Sequence, residues 1–136
     1  MKVGNILEIC RLYNREMGLE AATTEAGSDV ILPLVSVGHH HTRREDQWNE
    51  AIEVFSAPWN NRNADGARLL VGVLLDGLGD ANPEADVRVA VPTDAGYHRV
   101  LSIHSVGFKD IIPGAPLTLR LDLEPWDSAH QTIRPD

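Results

Sequence analysis

Residues 117–123 read Leu-Thr-Leu-Arg-Leu-Asp-Leu, so apolar and polar side chains alternate without a break. Alternation with a period of two is typical of a β-strand that has one face in the core and one in water. An α-helix would distribute these leucines around its circumference. The segment therefore predicts a strand, and such a strand requires neighbours in a sheet.

Further segments carry the same kind of signal, and we predict strands over residues 30–37, 48–56, 67–76, 85–91 and 98–106. The first contains Pro33, which cannot donate a ladder hydrogen bond, so this strand should lie at an edge or carry a bulge. The segment 67–76 is apolar almost throughout, which suits a central strand covered on both faces. A helix over residues 44–55 is the alternative to the second strand, since Glu, Gln and Ala favour helices.

Residues 5–18 are predicted to form an α-helix. Ile6, Ile9 and Tyr13 recur at helical spacing and would form one apolar stripe. Asn5 is suited to cap the first turn, and Gly18 stands where a left-handed residue would end the helix. Residues 20–29 are predicted as a loop that could hold a short first strand, and the polar residues 38–46 as a loop.

Short strands separated by loops of roughly ten residues are typical of a β-sandwich or small barrel. We therefore predict a mainly β fold, an antiparallel sandwich or small barrel of about six to seven strands with one N-terminal helix. Residues 1–126 form a single domain in this prediction, and residues 127–136 form a flexible C-terminal tail. We detect no internal repeat in the sequence.

Composition narrows the possible partners. The net charge of −8 disfavours binding to nucleic acid or to an anionic membrane, because both are polyanions. No apolar run approaches the length of a membrane span. The single cysteine, Cys10, excludes an intrachain disulfide, which favours a reducing compartment and a cytoplasmic protein. We expect its side chain to be a small buried hydrophobe on the helix.

Three consecutive histidines, residues 39–41, are the strongest metal-binding signal. His39 and His41 flank one residue, and Glu45 follows four positions later. This spacing resembles the first metal motif of the cupin family, in which alternate histidines and a glutamate hold a metal ion. The resemblance implies a β-barrel with one divalent transition metal bound by His39, His41 and Glu45, as a metal-binding domain or an enzyme.

The second cupin motif is incomplete. Gly107 and Pro113 have its spacing, but Ala115 replaces a glycine and Thr118 stands where a fourth ligand is expected. In the cupin-like interpretation His98 or His104 would have to supply that ligand. The alternative is that the histidines are solvated and bind transition metals only incidentally.

The segment Trp59-Asn60-Asn61-Arg62 is the candidate recognition site. Aromatic and arginine side chains dominate the energetics of interfaces, and an indole face can stack on a sugar or base. The alternative is that Trp59 folds back and caps one end of the core.

No nucleophile elbow, phosphate-binding glycine loop or zinc-type cysteine pair is present. We therefore predict a non-catalytic interaction module without a cofactor. Its partner is expected to be another protein or a second copy of the chain, within a larger assembly.

Overall fold

The computed structural model of the protein describes residues 1–44, 47–63, 69–108, 118–127 and 132–135. The secondary structure begins with α1 (Val3–Cys10), β1 (Gly18–Glu25), β2 (Ser28–Arg44) and β3 (Gln47–Ser56). It continues with α2 (Val71–Leu78), β4 (Asp86–Pro92), β5 (Tyr97–Phe108), β6 (Thr118–Leu123) and β7 (Thr132–Pro135).

Strands β1 to β6 close into a six-stranded barrel, and this confirms the predicted small β-barrel with an N-terminal helix. Four of the neighbouring pairs are antiparallel, as predicted. The pairs β3–β4 and β1–β6 are parallel, which a purely antiparallel sheet would not contain. The β3–β4 connection needs a crossover for this reason, and α2 lies within that crossover.

The interior of the barrel follows the alternation in the sequence. Val87, Val89 and Val91 of β4 are buried, and so are the leucines of β6. On α1 one face is buried against the same core. Each fully buried aliphatic side chain contributes about 1.5–3 kcal/mol to folding, so these faces hold the barrel together.

The predicted end of the first helix is wrong. α1 ends at Cys10, and Gly18 is the first residue of β1. After Cys10 the chain tightens, because the Leu12 N–H donates to the Ile9 carbonyl at 3.2 Å and the Tyr13 N–H to that of Cys10 at 3.1 Å. The side-chain Oδ1 of Asn14 then accepts the backbone N–H of Glu16 at 2.9 Å, and this local turn takes the place of further helical bonds. Asn5 lies inside the helix and is not its cap.

The predicted strand over residues 67–76 is wrong for residues 71–76, and residues 67 and 68 lie outside the described residues. Residues 71–76 belong to α2, whose buried face is formed by Val71, Leu74 and Leu78 together with Gly72. An unbroken apolar run predicts burial but contains no period that separates a helix from a strand. The sixth barrel strand is β1, in the segment for which a short strand was the alternative to a loop.

The predicted loop over residues 38–46 is wrong as far as residue 44. β2 continues through these polar residues and pairs with β3 as far as Arg44 opposite Gln47. The helix considered for residues 44–55 is therefore excluded for 47–55, which are strand. Two paired strands are held by backbone hydrogen bonds, which form whether the side chains are polar or apolar. The polar side chains of residues 38–44 were therefore not sufficient grounds for predicting a loop.

β2 changes its partner at Pro33. Its first part pairs with β1 as far as Pro33, and its second part pairs with β3 from Leu34 onward. The register shifts between Leu34 and Ser36, an irregularity that agrees with the bulge, one of the two alternatives predicted from Pro33. Pro33 stands at this change of partner, where its missing N–H interrupts no ladder.

The chain consists of two topologically equivalent halves, α1 with β1–β3 and α2 with β4–β6. Each half is a helix followed by three antiparallel strands. β3 lies parallel to β4 just as β6 lies parallel to β1, so exchanging the halves reproduces the pairings. The middle strand of the second half, β5, also changes partner at an irregularity, between Ile103 and Ser105.

Backbone contacts repeat between the halves. The Val3 N–H donates to the Ala85 carbonyl at 2.9 Å, and the equivalent Val71 N–H donates to that of Met17 at 2.9 Å. Likewise the Gly4 N–H donates to the Pro83 carbonyl at 3.0 Å, and the equivalent Gly72 N–H to that of Arg15 at 2.8 Å. The Asx turn of Asn14 recurs at Asn82, whose Oδ1 accepts the Glu84 N–H at 3.0 Å. Each helix therefore begins against the segment that precedes the first strand of the other half.

The sequence carries the same duplication, so the prediction of no internal repeat is wrong. The matching segments are Val3-Gly-Asn-Ile-Leu-Glu8 with Val71-Gly-Val-Leu-Leu-Asp76, Thr24-Glu-Ala-Gly27 with Thr93-Asp-Ala-Gly96, and Pro58-Trp59 with Pro125-Trp126. The spacing between matching residues changes slightly from one segment to the next. No single offset aligns the halves, and the matches are short, which explains why inspection of the sequence missed them.

Residues 132–135, within the range assigned to a tail, form β7 on the free edge of β5. In the first half the equivalent place beside β2 is taken by Asn63. Its N–H donates to the Ile31 carbonyl and its Oδ1 accepts the Ile31 N–H, both at 2.8 Å.

Candidate functional site

The triple histidine belongs to a strand. His39 lies opposite Ile52 and His41 opposite Glu50 in the β2–β3 register. His39 is exposed, and its Nε2 donates to the Gly77 carbonyl of α2 at 2.9 Å. The side chain of His41 and the whole of Glu45 lie outside the described residues. The described part of the chain contains no cluster of three His, Cys, Asp or Glu side chains that could hold a metal ion.

The histidines considered as a fourth ligand both lie on β5. His98 packs edge-on against Phe55, with ring centroids 6.0 Å apart. His104 is exposed at the irregularity of β5. Thr118 is buried at the start of β6, and Pro113 and Ala115 lie outside the described residues. Metal binding by His39, His41 and Glu45 therefore stays a prediction.

Trp59 and Trp126 stack face to face, with ring centroids 3.8 Å apart and 2° between the ring planes. Trp59 follows β3 and Trp126 follows β6, so the stack joins equivalent positions of the two halves. Trp126 is buried in the core, and Trp59 is half-buried against it. We refer to this pair as the tryptophan stack.

An arginine covers the outer face of each indole. Arg62 Cζ lies 4.7 Å from the centroid of the Trp59 ring, and Arg99 Cζ lies 4.4 Å from that of Trp126. Each guanidinium also donates to the carbonyl of its tryptophan, Arg62 at 3.1 Å and Arg99 at 2.9 Å. These cation–π contacts complete a four-layer arrangement of arginine, tryptophan, tryptophan and arginine.

The tryptophan stack changes what Trp59 can do. Both faces of its indole are covered, so stacking on a sugar or base would require Arg62 to move away. Asn60, Asn61 and Arg62 are exposed on a short 3-10 turn that begins at Trp59. The predicted recognition role of residues 59–62 stays a prediction, and its polar members are the accessible ones. The pairing with Trp126 was missed because nothing local to either tryptophan indicates it.

The β2–β3 hairpin extends past the barrel. β4 pairs with β3 only over Ala51–Phe55. Residues 41–44 and 47–50 pair with each other and, among the described residues, with no other strand. We call these two segments the arm. Four residue pairs at about 3.3 Å per residue make it roughly 13 Å long.

Comparison with known proteins found no matching family model, no similar curated protein and no similar solved structure. Neither helix in the described part of the chain is long and apolar enough to cross a membrane.

Proposed function

We propose that the protein is a non-catalytic interaction module, a small subunit that binds another protein of a larger assembly through the arm. The observation that supports this is the extension of β2 and β3 beyond the last residue that β4 pairs. A two-stranded ribbon alone is marginally stable in water. Its outer edges present backbone N–H and C=O groups to which a strand of a partner can add.

Charge and cysteine content support a protein partner in the cytoplasm. The net charge of −8 opposes binding to nucleic acid and to anionic lipid. Cys10 is buried and unpaired, which suits a reducing compartment.

Shortening the arm tests this function. In the variant, residues 41–50 are replaced by Asn-Gly, the two-residue turn that best joins antiparallel strands. His40 lies opposite Ala51, so this turn closes the hairpin at the barrel. We expect the shortened protein to unfold as cooperatively as the wild type and to lose a stoichiometric partner that the wild type captures from its native cells.

The control variant is Asp94→Ala, in the β4–β5 turn, which should retain the partner. Chemical cross-linking of the wild-type complex should join the partner to residues 41–50. Equal capture by the shortened protein, or cross-links only elsewhere, would contradict binding through the arm. Capture of nothing by the wild type would contradict the proposed function itself.

The second candidate function is metal binding, favoured by one observation. The strand register brings Glu50 opposite His41, two residues from His39, and imidazole with carboxylate is a common ligand set for divalent transition metals. Untagged protein purified without a metal column should then contain about one metal per chain. Loss of this metal in the His39→Ala, His41→Ala variant would support the cupin-like function, and metal-free wild type would contradict it.

A further inference from the structure

The two helices meet the opposite halves of the chain at two equivalent junctions. At the first, residues 11–17 after α1 lie against the start of α2, residues 70–73, and we call it the Leu70 junction. At the second, residues 79–85 after α2 lie against the start of α1, residues 2–5, and we call it the Lys2 junction. Both are closed by the matching backbone hydrogen bonds described above. The same backbone frame therefore carries two different sets of side chains.

The Leu70 junction is apolar where the Lys2 junction is polar. Leu12, Leu70 and Val73 are 79%, 40% and 49% exposed. The residues at the equivalent positions are Asp80, Lys2 and Asn5, all exposed. Polar side chains are thus compatible with this frame, so folding alone does not require the apolar ones. Singly exposed apolar residues are ordinary, but their collection at one of two equivalent places indicates a contact surface.

The apolar surface continues beyond the helices. Phe108, which is exposed, packs edge-on against Tyr13, with ring centroids 4.8 Å apart. The Leu69 N–H donates to the Leu34 carbonyl at 2.8 Å, and the exposed Val35 and Leu70 are the residues that follow this bonded pair in the chain. All the exposed large hydrophobic side chains of the described residues therefore lie at or beside the Leu70 junction: Leu12, Val35, Leu70, Val73 and Phe108.

Charge at this junction is balanced, although the chain as a whole is strongly acidic. Arg11 and Arg15 stand beside Glu16 and Asp76, and Arg15 forms an exposed ion pair with Asp76 at 2.8 Å. At the Lys2 junction a single lysine stands beside three carboxylates, Asp80, Glu84 and Glu8, the last at the position equivalent to Asp76. Two copies of a chain with a net charge of −8 repel each other over most of their surfaces. The four charges counted at the Leu70 junction sum to zero, so they do not add to this repulsion.

We propose that two copies of the chain associate through their Leu70 junctions across a twofold axis. In such an interface each copy presents the same patch, so the patch must complement itself. The exposed apolar residues of one copy would pack against the same residues of the other. At the rim, where positive and negative side chains are equal in number, Arg15 of one copy could approach a carboxylate of the second copy. This surface is distinct from the arm, so the proposal goes beyond the proposed function and holds or fails independently of it.

The test is the molar mass in solution, measured by light scattering and sedimentation velocity between about 1 and 100 µM. The wild type should have twice the chain mass of 14.9 kDa at the upper end of this range. The Leu70→Lys, Val73→Asn variant takes the residues of the equivalent positions at the Lys2 junction. We expect its dissociation constant to be at least tenfold higher, with an unchanged far-ultraviolet circular dichroism spectrum.

A second variant and a control complete the experiment. Leu12→Asp changes the most exposed of these side chains, so it should weaken the dimer without affecting folding. The control Lys2→Ala, Asn5→Ala alters the other junction and should dimerise as the wild type does. A monomeric wild type at the highest concentration would overturn the proposal. A dimer that survives both Leu70→Lys, Val73→Asn and Leu12→Asp would place the interface elsewhere and would overturn it equally.

Discussion

The tryptophan stack should be a measurable link between the two halves of the chain. Trp126 is buried, and truncation of a buried tryptophan to alanine costs about 3–5 kcal/mol of unfolding free energy. Trp59 is half-buried, so Trp59→Ala should cost less, about 1–2 kcal/mol. Rings stacked at 3.8 Å interact beyond their burial, which adds a coupling of about 0.5–1.5 kcal/mol.

A double-mutant cycle isolates this coupling. The free energy of unfolding is measured in urea for the wild type, for Trp59→Ala, for Trp126→Ala and for the double variant. Far-ultraviolet circular dichroism is the suitable probe, because the substitutions remove most of the tryptophan fluorescence. The double variant should be less destabilised than the sum of the single variants, since the first truncation already removes the contact. The exciton signal of the stacked indoles should disappear in either single variant.

The control cycle pairs Trp59→Ala with Ile6→Val, a mild truncation of a buried residue on α1. Additive effects are expected there, within about 0.3–0.5 kcal/mol. The same additivity between Trp59→Ala and Trp126→Ala would refute the stack as a link between the halves.

Three further predictions concern single residues. Ala26 has a φ of 50° in the two-residue β1–β2 turn, a conformation that asparagine adopts more readily than alanine. Ala26→Asn should therefore stabilise the protein by about 0.5–1 kcal/mol in thermal unfolding. The control is Ala95→Asn, which should bring no such gain because the backbone of Ala95 is not left-handed. Asn82→Ala removes the acceptor for the Glu84 N–H and should cost about 0.5–1 kcal/mol in urea unfolding; no loss would show that the turn forms without it. Burial raises the pKa of the Cys10 thiol to about 11, so at pH 8 the native protein holds less thiolate than the unfolded chain. Cys10 should therefore react with a thiol reagent only in urea, and rapid reaction of the native protein would contradict this burial.

Alternating segments of the sequence predicted both the strands and their buried faces. The valines of β4 and the leucines of β6 point into the barrel as their period of two requires. The segment that became α2 was predicted wrongly because an apolar run lacks a period. The polar end of β2 was predicted wrongly because hydrogen bonds to β3, and not apolar burial, define that part of the strand. Local sequence contains neither kind of information.

The candidate sites divide in a similar way. Sequence singled out Trp59 and Arg62 as an aromatic and a cationic anchor, and the structure brings these two together. It could not supply Trp126 or Arg99, which come from distant parts of the chain. The exposed apolar residues of the Leu70 junction went unrecognised as well, because a leucine on a helix is predicted as core until its neighbours are known.

By itself the sequence determined the mainly β composition, the inward faces of the alternating strands and an edge or a bulge at Pro33, because all of these follow from local chemistry. Only the tertiary structure decided that α2 is a helix, that β2 continues through the histidines and that the two halves are equivalent. Closing the barrel pairs segments that are far apart in the chain, and the free energy of that pairing depends on both partners. This pairing free energy therefore cannot be read from the sequence of either segment alone.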